Sequence, residues 1–186
     1  SVYIWSVYTE CLHGMPSKCP IRVAVPVNLR PYFNSITTKN FFVMVSAEFH
    51  PTKETYTFAE VAAIVKESLR SQINRENLEK LFSYNVSNEK LLIARVVPLF
   101  LKNLAMKYVY TTSALANTAT ITNIGNISVT EEYRPYVEMF HAFLAMSKGQ
   151  HLKGTICSYG DTLVFSFSYD LTDTSVQRGF FRKIAA

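Results

Sequence analysis

The sequence predicts an α/β protein of the α+β type, in which helices pack against a mixed, largely antiparallel sheet. Three observations support this prediction. The 186 residues are 48% hydrophobic and 18% charged, which is enough apolar material for one packed core. Short runs rich in β-branched residues alternate with segments of helical period. No linker or internal repeat divides the chain, so residues 1–186 are predicted to form a single domain.

The predicted strands are short apolar runs bounded by residues that favour turns. Alternation is clearest in the last of them, Leu163–Tyr169, which follows a Gly160-Asp161 turn and reads as a half-buried hairpin partner. The six predicted strands are Ile21–Val27, Phe41–Phe49, Thr118–Asn123, Glu138–Met146, Leu152–Tyr159 and Leu163–Tyr169.

The clearest helix signal is the sequence Thr57-Phe-Ala-Glu60, a capping box, which opens a helix to about residue 73. The segment Ser1–Leu12 reads as a helix that is apolar around most of its circumference and should be buried on several sides. A chain that opens with such an element is expected to be a piece of a longer protein. Further helices are predicted at Arg75–Asn85, at Val97–Tyr110 and from Asp173 or Thr174 through Lys183.

Composition limits the class of partner. The net charge is +5, but the basic residues are scattered rather than interleaved with aromatics in one stripe, so a nucleic-acid partner is not predicted. No apolar stretch approaches the ~20 residues of a membrane span. The three cysteines, Cys11, Cys19 and Cys157, suit neither a disulfide framework nor a zinc ribbon, and they predict reduced thiols in the cytoplasm.

The sequence holds no complete catalytic constellation. Its four histidines lie outside metal-binding motifs, no serine stands in a GxSxG elbow, and no glycine-rich phosphate loop is present. We therefore predict no metal site and assign no catalytic residue. His141, on the predicted strand Glu138–Met146, is a weak candidate for a general base, and a structural role for it stays open.

Two short segments are more informative. Arg30 follows an apolar strand, and a guanidinium there needs an acceptor if it is buried; the nearest downstream acid, Glu48, lies far along the next strand. An exposed strand end is the alternative. The sequence Asn123-Ile-Gly125 ends another strand and indicates a sharp turn, which either brings the backbone close to a ligand or serves only to reverse the chain.

Several blocks resemble the second half of the chloramphenicol acetyltransferase-like superfamily, which includes peptide-synthetase condensation domains, wax-ester synthases and alcohol acetyltransferases. The similarity is to the bacterial alcohol-acetyltransferase-like pattern, and its blocks follow in order along nearly the whole chain. They are Ile21–Arg30, Phe33–Ser35, Thr37–Phe41, Tyr56–Glu60, Val97–Asn103, Thr122–Gly125 and Gln177–Arg182.

The resemblance implies a two-lobed acyltransferase fold of which this chain is the C-terminal lobe. The family's HHxxxD motif, whose second histidine is the general base, belongs to the other lobe and is absent here. By resemblance, Arg30 forms a salt bridge to the aspartate of that motif across the lobe boundary. Asn40 and Phe41 line the substrate tunnel, and Asn123 and Gly125 form the turn near the reacting centre. Thr122 and Lys39 depart from the family's usual Ser and Arg, which leaves the acceptor side open.

The resemblance implies an O-acyltransferase that moves an acyl group from acyl-CoA or a carrier thioester to a small alcohol, with no covalently bound cofactor. This lobe alone is then not competent. The alternatives are a non-catalytic condensation-like binding or docking domain and a self-sufficient enzyme that uses His141. Because a lobe without its partner exposes an apolar face, self-association of the chain is expected.

Overall fold

Five strands form one mixed sheet in residues 1–90 and 97–186, which are the residues that the computed structural model describes. Antiparallel pairs at the two ends, β1–β2 and β4–β5, run for the full length of their strands, and parallel pairing of β3 with β1 and β4 joins them. The predicted fold class is therefore confirmed. In spatial order the strands are β2 (Phe42–Phe49), β1 (Ile21–Asn28), β3 (Ala119–Asn126), β4 (Leu152–Tyr159) and β5 (Thr162–Tyr169).

Helices account for most of the remaining regular structure in the described residues. The first one continues without a break into a π-helical turn at Val7–Cys11, and a 3₁₀ turn covers Arg134–Tyr136. The helices are α1 (Val2–Ser6), α2 (Phe58–Gln72), α3 (Arg75–Lys90), α4 (Leu99–Leu115) and α5 (Ser175–Ala185). Among these helices none is both long enough and apolar enough to cross a membrane.

One face of the sheet carries the core. Alternate residues of β2 are buried on this face, where α1, α2 and α5 cover most of it and α3 covers its end. The apolar first segment is buried as predicted, with Tyr3, Ile4 and Tyr8 almost fully enclosed. Phe180 of α5 lies between Phe165 and Phe167 of β5, with ring centroids 4.4 and 5.1 Å away. Such ring pairs add about 0.5–1.5 kcal/mol each beyond the burial of their area.

The free edge of β2 is protected by side chains of α2. Gln72 accepts a hydrogen bond from Ser46 N and donates one to Ser46 O, and Ser68 Oγ accepts one from Glu48 N. Unpaired backbone groups on an edge strand invite pairing with other chains. The helix therefore takes the place of a sixth strand on this side of the sheet.

The predicted strand Glu138–Met146 is wrong. Residues 137–146 have no regular secondary structure, and no backbone–backbone hydrogen bond joins any of residues 138–146 to another described residue. The segment lies against β4 through side chains instead: Cys157 Sγ donates to Phe140 O, and Lys153 Nζ donates to Ala145 O. An alternating pattern indicates a strand only where a neighbouring strand supplies a ladder, and none does so here.

The predicted capping box at the start of α2 is confirmed. Thr57 Oγ1 accepts a hydrogen bond from Glu60 N, and the Glu60 carboxylate accepts bonds from Thr57 N at 2.7 Å and Thr57 Oγ1 at 2.9 Å. Lys53 Nζ also donates to Glu60, at 2.6 Å. The hydrogen bond from Lys53, followed by those from Thr57, lowers the pKa of Glu60 from 4.5 to about 2.

We predict that Glu60→Gln makes the free energy of unfolding less dependent on pH in the acidic range. Because the pKa of Glu60 is lower in the folded state, the ionised carboxylate stabilises the fold above about pH 4.5, and this contribution disappears as the pH falls toward 2. Urea unfolding should therefore separate Glu60→Gln from the unsubstituted chain at pH 6, and the separation should shrink at pH 3. Glu54→Gln is the matched control, since Glu54 lies in the same loop outside the capping box. A separation that is the same at both pH values would contradict the prediction.

Candidate functional site

The candidate site is a cleft of about 410 Å³ on the face of the sheet opposite the core. Side chains alternate across a strand, so Phe42 and Met44 face this cleft while Val43 and Val45 face the core. Four of the predicted site residues, from three separate parts of the chain, line it together: Arg30, Asn40, Phe41 and Asn123.

Arg30 holds the wall of the cleft together. It is exposed, and its Nη2 donates to Thr37 O at 3.0 Å and to Lys39 O at 2.8 Å, while Nε also donates to Thr37 O. These carbonyls belong to the loop that follows Arg30. The guanidinium therefore fixes a loop with no regular secondary structure by bonding to its backbone.

No carboxylate among the described side chains lies within 4.0 Å of the Arg30 guanidinium. Glu48, the nearest downstream acid, is bound elsewhere: Arg22 reaches its two oxygens at 3.0 and 3.1 Å from the adjacent strand. A salt bridge from Arg30 to an acid of another lobe thus stays a prediction.

The other end of the same loop is anchored in the core. Leu29 is fully buried, and its N–H donates to Phe41 O at 3.0 Å. The ring of Phe41 packs edge-on against Phe82 of α3, with centroids 5.4 Å apart, and against Phe33 at 6.5 Å. Phe41 therefore lines the cleft from a fixed position, and the neighbouring Asn40 is carried on the same anchored backbone.

Asn123 and Gly125 form a bulge in β3. The register to β4 shifts between them, and Asn123 Oδ1 accepts a hydrogen bond from Gly125 N at 2.9 Å. Gly125 has φ +88°, a left-handed conformation that glycine adopts without strain. The bulge thus has the backbone chemistry of a turn and presents Asn123 to the cleft, whereas Gly125 does not line it.

His141 lies outside the cleft. Its ring is exposed, stacks on Phe143 at an angle of 9°, and places Nε2 3.2 Å from Met139 Sδ. These neighbours belong to its own segment, 137–146, which is not the strand that the sequence predicted. The structure therefore does not bring His141 to the four residues of the cleft.

The ionisable side chains that line the 410 Å³ cleft are Arg30 and Lys39, both basic. Neither an acid nor a histidine lines it in the described part of the chain, so the cleft has cationic hydrogen-bond donors and no residue to accept a proton. Within the same residues no group of three potential metal ligands comes together. The cleft is therefore suited to binding an anionic or carbonyl-containing molecule.

A second cavity of about 630 Å³ adjoins the cleft and shares Phe42, Met44 and Thr120 with it. Ser147 and Gln150 line this cavity but not the cleft, and the buried Lys153 donates to Ser147 Oγ. The pair formed by Ser147 and Lys153 was not predicted from the sequence. The available signal was a lysine near the start of an otherwise uncharged strand, Leu152–Tyr159.

Neither a protein-family model nor a curated protein matches this chain.

We predict that Arg30→Ala loosens the cleft wall without unfolding the domain. Each lost hydrogen bond is worth about 0.5–1.5 kcal/mol, so hydrogen exchange in residues 31–41 should accelerate at least about fivefold. Exchange measured by mass spectrometry checks this, with Arg70→Ala on the surface of α2 as the matched control. Unchanged exchange in residues 31–41 of Arg30→Ala would show that these hydrogen bonds do not hold the loop.

Proposed function

We propose that this chain is the C-terminal lobe of an O-acyltransferase that transfers an acyl group from acyl-CoA or a carrier thioester to a small alcohol. The observation that carries the proposal is the shared cleft of Arg30, Asn40, Phe41 and Asn123. The resemblance assigns these same residues to the tunnel and the lobe boundary of an acyltransferase. Their meeting in one cleft supports that assignment, because sequence position alone does not require it.

The chemistry of the cleft supports a reaction in which this lobe binds the acyl donor and another lobe supplies the base. Arg30 and Lys39 attract a donor that carries phosphate groups, such as a coenzyme A thioester, and Asn40 and Asn123 carry amide groups that can donate to a carbonyl. No described residue of the cleft can deprotonate the alcohol. The base must then come from the other lobe, in agreement with the absence of HHxxxD from this sequence.

Two further features agree with the proposal. Cys11, Cys19 and Cys157 form no disulfide, which suits a protein of the reducing cytoplasm. The positively charged rim of the cleft is exposed, with the Arg30 guanidinium at the surface where a second lobe would meet it. An aspartate of that lobe would complete the acceptors of the guanidinium.

The test uses the complete product of the gene that encodes this chain. With acetyl-CoA and a simple alcohol such as butanol, we expect thiol release that depends on the alcohol. Arg30→Ala should lower the rate at least about tenfold, because loss of a charged hydrogen-bonded partner costs several kcal/mol. Arg70→Ala should remain within about twofold. Absence of alcohol-dependent thiol release from the unsubstituted protein, folded as judged by circular dichroism, would reject the proposal.

A second candidate, a non-catalytic docking domain, is supported by the surface of α4. This helix has large apolar side chains exposed along its length, although a helix in a globular protein normally buries such residues against a core. Apolar surface of this extent marks a site of association. The exposed residues are Leu99, Phe100, Leu101, Leu104, Met106, Tyr108, Val109, Tyr110 and Leu115.

We predict that the isolated chain self-associates through α4. Leu104, which is 67% exposed, contributes apolar area to the contact, so Leu104→Lys should weaken association at least about tenfold. Analytical ultracentrifugation over a concentration series measures this. Thr111→Lys adds the same charge at an exposed polar position of the same helix and is the control. A chain that stays monomeric at the highest concentration would contradict the prediction.

A further inference from the structure

Lys153 is a buried lysine with no acidic partner among the residues that the structure describes. Its side chain projects from β4, and only 8% of the residue is exposed. Nζ donates to Ala145 O at 2.7 Å and to Ser147 Oγ at 2.6 Å, and no carboxylate among the described side chains lies within 4.0 Å of it. A buried amine held next to a hydroxyl in this way has the geometry of a nucleophile and its base.

Ser147 lines the wall of the 630 Å³ cavity. It begins a tight turn in which Gln150 N donates to Ser147 O at 3.0 Å and Gly149 has φ +86°. The turn fixes the serine backbone while Lys153 fixes the hydroxyl. Ser147 is therefore both oriented by an amine and accessible from the cavity.

The same cavity has groups that can hold an ester. Asn117 Oδ1 accepts a hydrogen bond from Ser46 Oγ at 3.0 Å, which fixes the amide and leaves its amino group available as a donor, and Gln150 adds a second amide. Phe42, Leu81 and Tyr110 supply apolar wall for a hydrocarbon chain. The cavity volume lies within the range of small-molecule sites, ~300–1,000 Å³.

We propose that Ser147 and Lys153 form a Ser–Lys dyad that cleaves carboxylic esters or thioesters with an apolar acyl group. Ser147 Oγ attacks the carbonyl carbon, and its proton passes to Nζ of Lys153. The bond from the carbonyl carbon to the leaving oxygen or sulfur breaks, and the leaving group takes that proton. Water then hydrolyses the acyl-serine ester, which releases the carboxylic acid and restores Ser147. Ser–Lys pairs are a known variant of the serine–base arrangement and need no GxSxG elbow.

The experiment uses the chain itself, so its outcome is separate from that of the two-lobe acyltransferase proposal. A fluorophosphonate probe, which reacts with activated serines, is incubated with the purified chain, and the modified peptide is located by mass spectrometry. We expect labelling at Ser147 and a burst of p-nitrophenol from p-nitrophenyl butyrate. Ser147→Ala should abolish both. Ser128→Ala, which removes an exposed hydroxyl that lines neither the cavity nor the cleft, should keep them.

The variant Lys153→Arg distinguishes a role of Lys153 as a base from a purely structural role. Arginine keeps hydrogen-bond donors for Ala145 O but cannot accept a proton, so labelling should fall at least about 100-fold while circular dichroism is unchanged. Lys153→Met is the second variant if arginine does not fit, with the same expected loss. Labelling elsewhere than Ser147, no labelling of the folded chain, or full labelling of either folded lysine variant would overturn the proposal.

Discussion

The packing of helices on one face of the sheet is the constraint on which the rest of this structure depends. Helices α1, α2 and α5 pack on the face that carries Val23, Ala47 and Phe49, and this contact encloses the core. The period of two in each strand then fixes what the other face displays. Phe42, Met44 and Thr120 lie on that face because their neighbours are needed for the core, and they become the floor shared by the cleft and the larger cavity.

Local sequence signals predicted the elements whose structure depends on local chemistry. The capping box of Thr57 and Glu60 placed the start of α2, and the β-branched run after Ile21 placed β1, because a cap and a pleat are determined within a few residues. The alternation in residues 138–146 predicted a strand that does not form, because a strand also needs a partner that is distant in sequence. The local pattern could not reveal that this segment bonds to side chains of β4 instead.

Four of the five residues that the resemblance named line one cleft, but their contacts were not predictable from the sequence. The resemblance named residues that do meet in one cleft, yet Arg30 was expected to depend on an acid, and its acceptors within this chain are the carbonyls of Thr37 and Lys39 together with Asn28 Oδ1. Backbone acceptors leave no trace in the sequence, since every residue has a carbonyl. Lys153 was missed for the related reason that one acceptor, Ala145 O, lies in the segment predicted to be a strand, and the other, Ser147 Oγ, follows directly after it.

The cleft and the dyad are chemically different sites on the face of the sheet opposite the core. The cleft has basic side chains and amides but no proton acceptor among the described residues, so under the proposed function it binds the acyl donor and takes its base from another lobe. The dyad has a hydroxyl and an amine in direct contact, which is a nucleophile with its own base. Phe42, Met44 and Thr120 connect the two sites. A second lobe that covers this face would therefore change the two sites in different ways, completing the first and restricting access of water and substrate to the second.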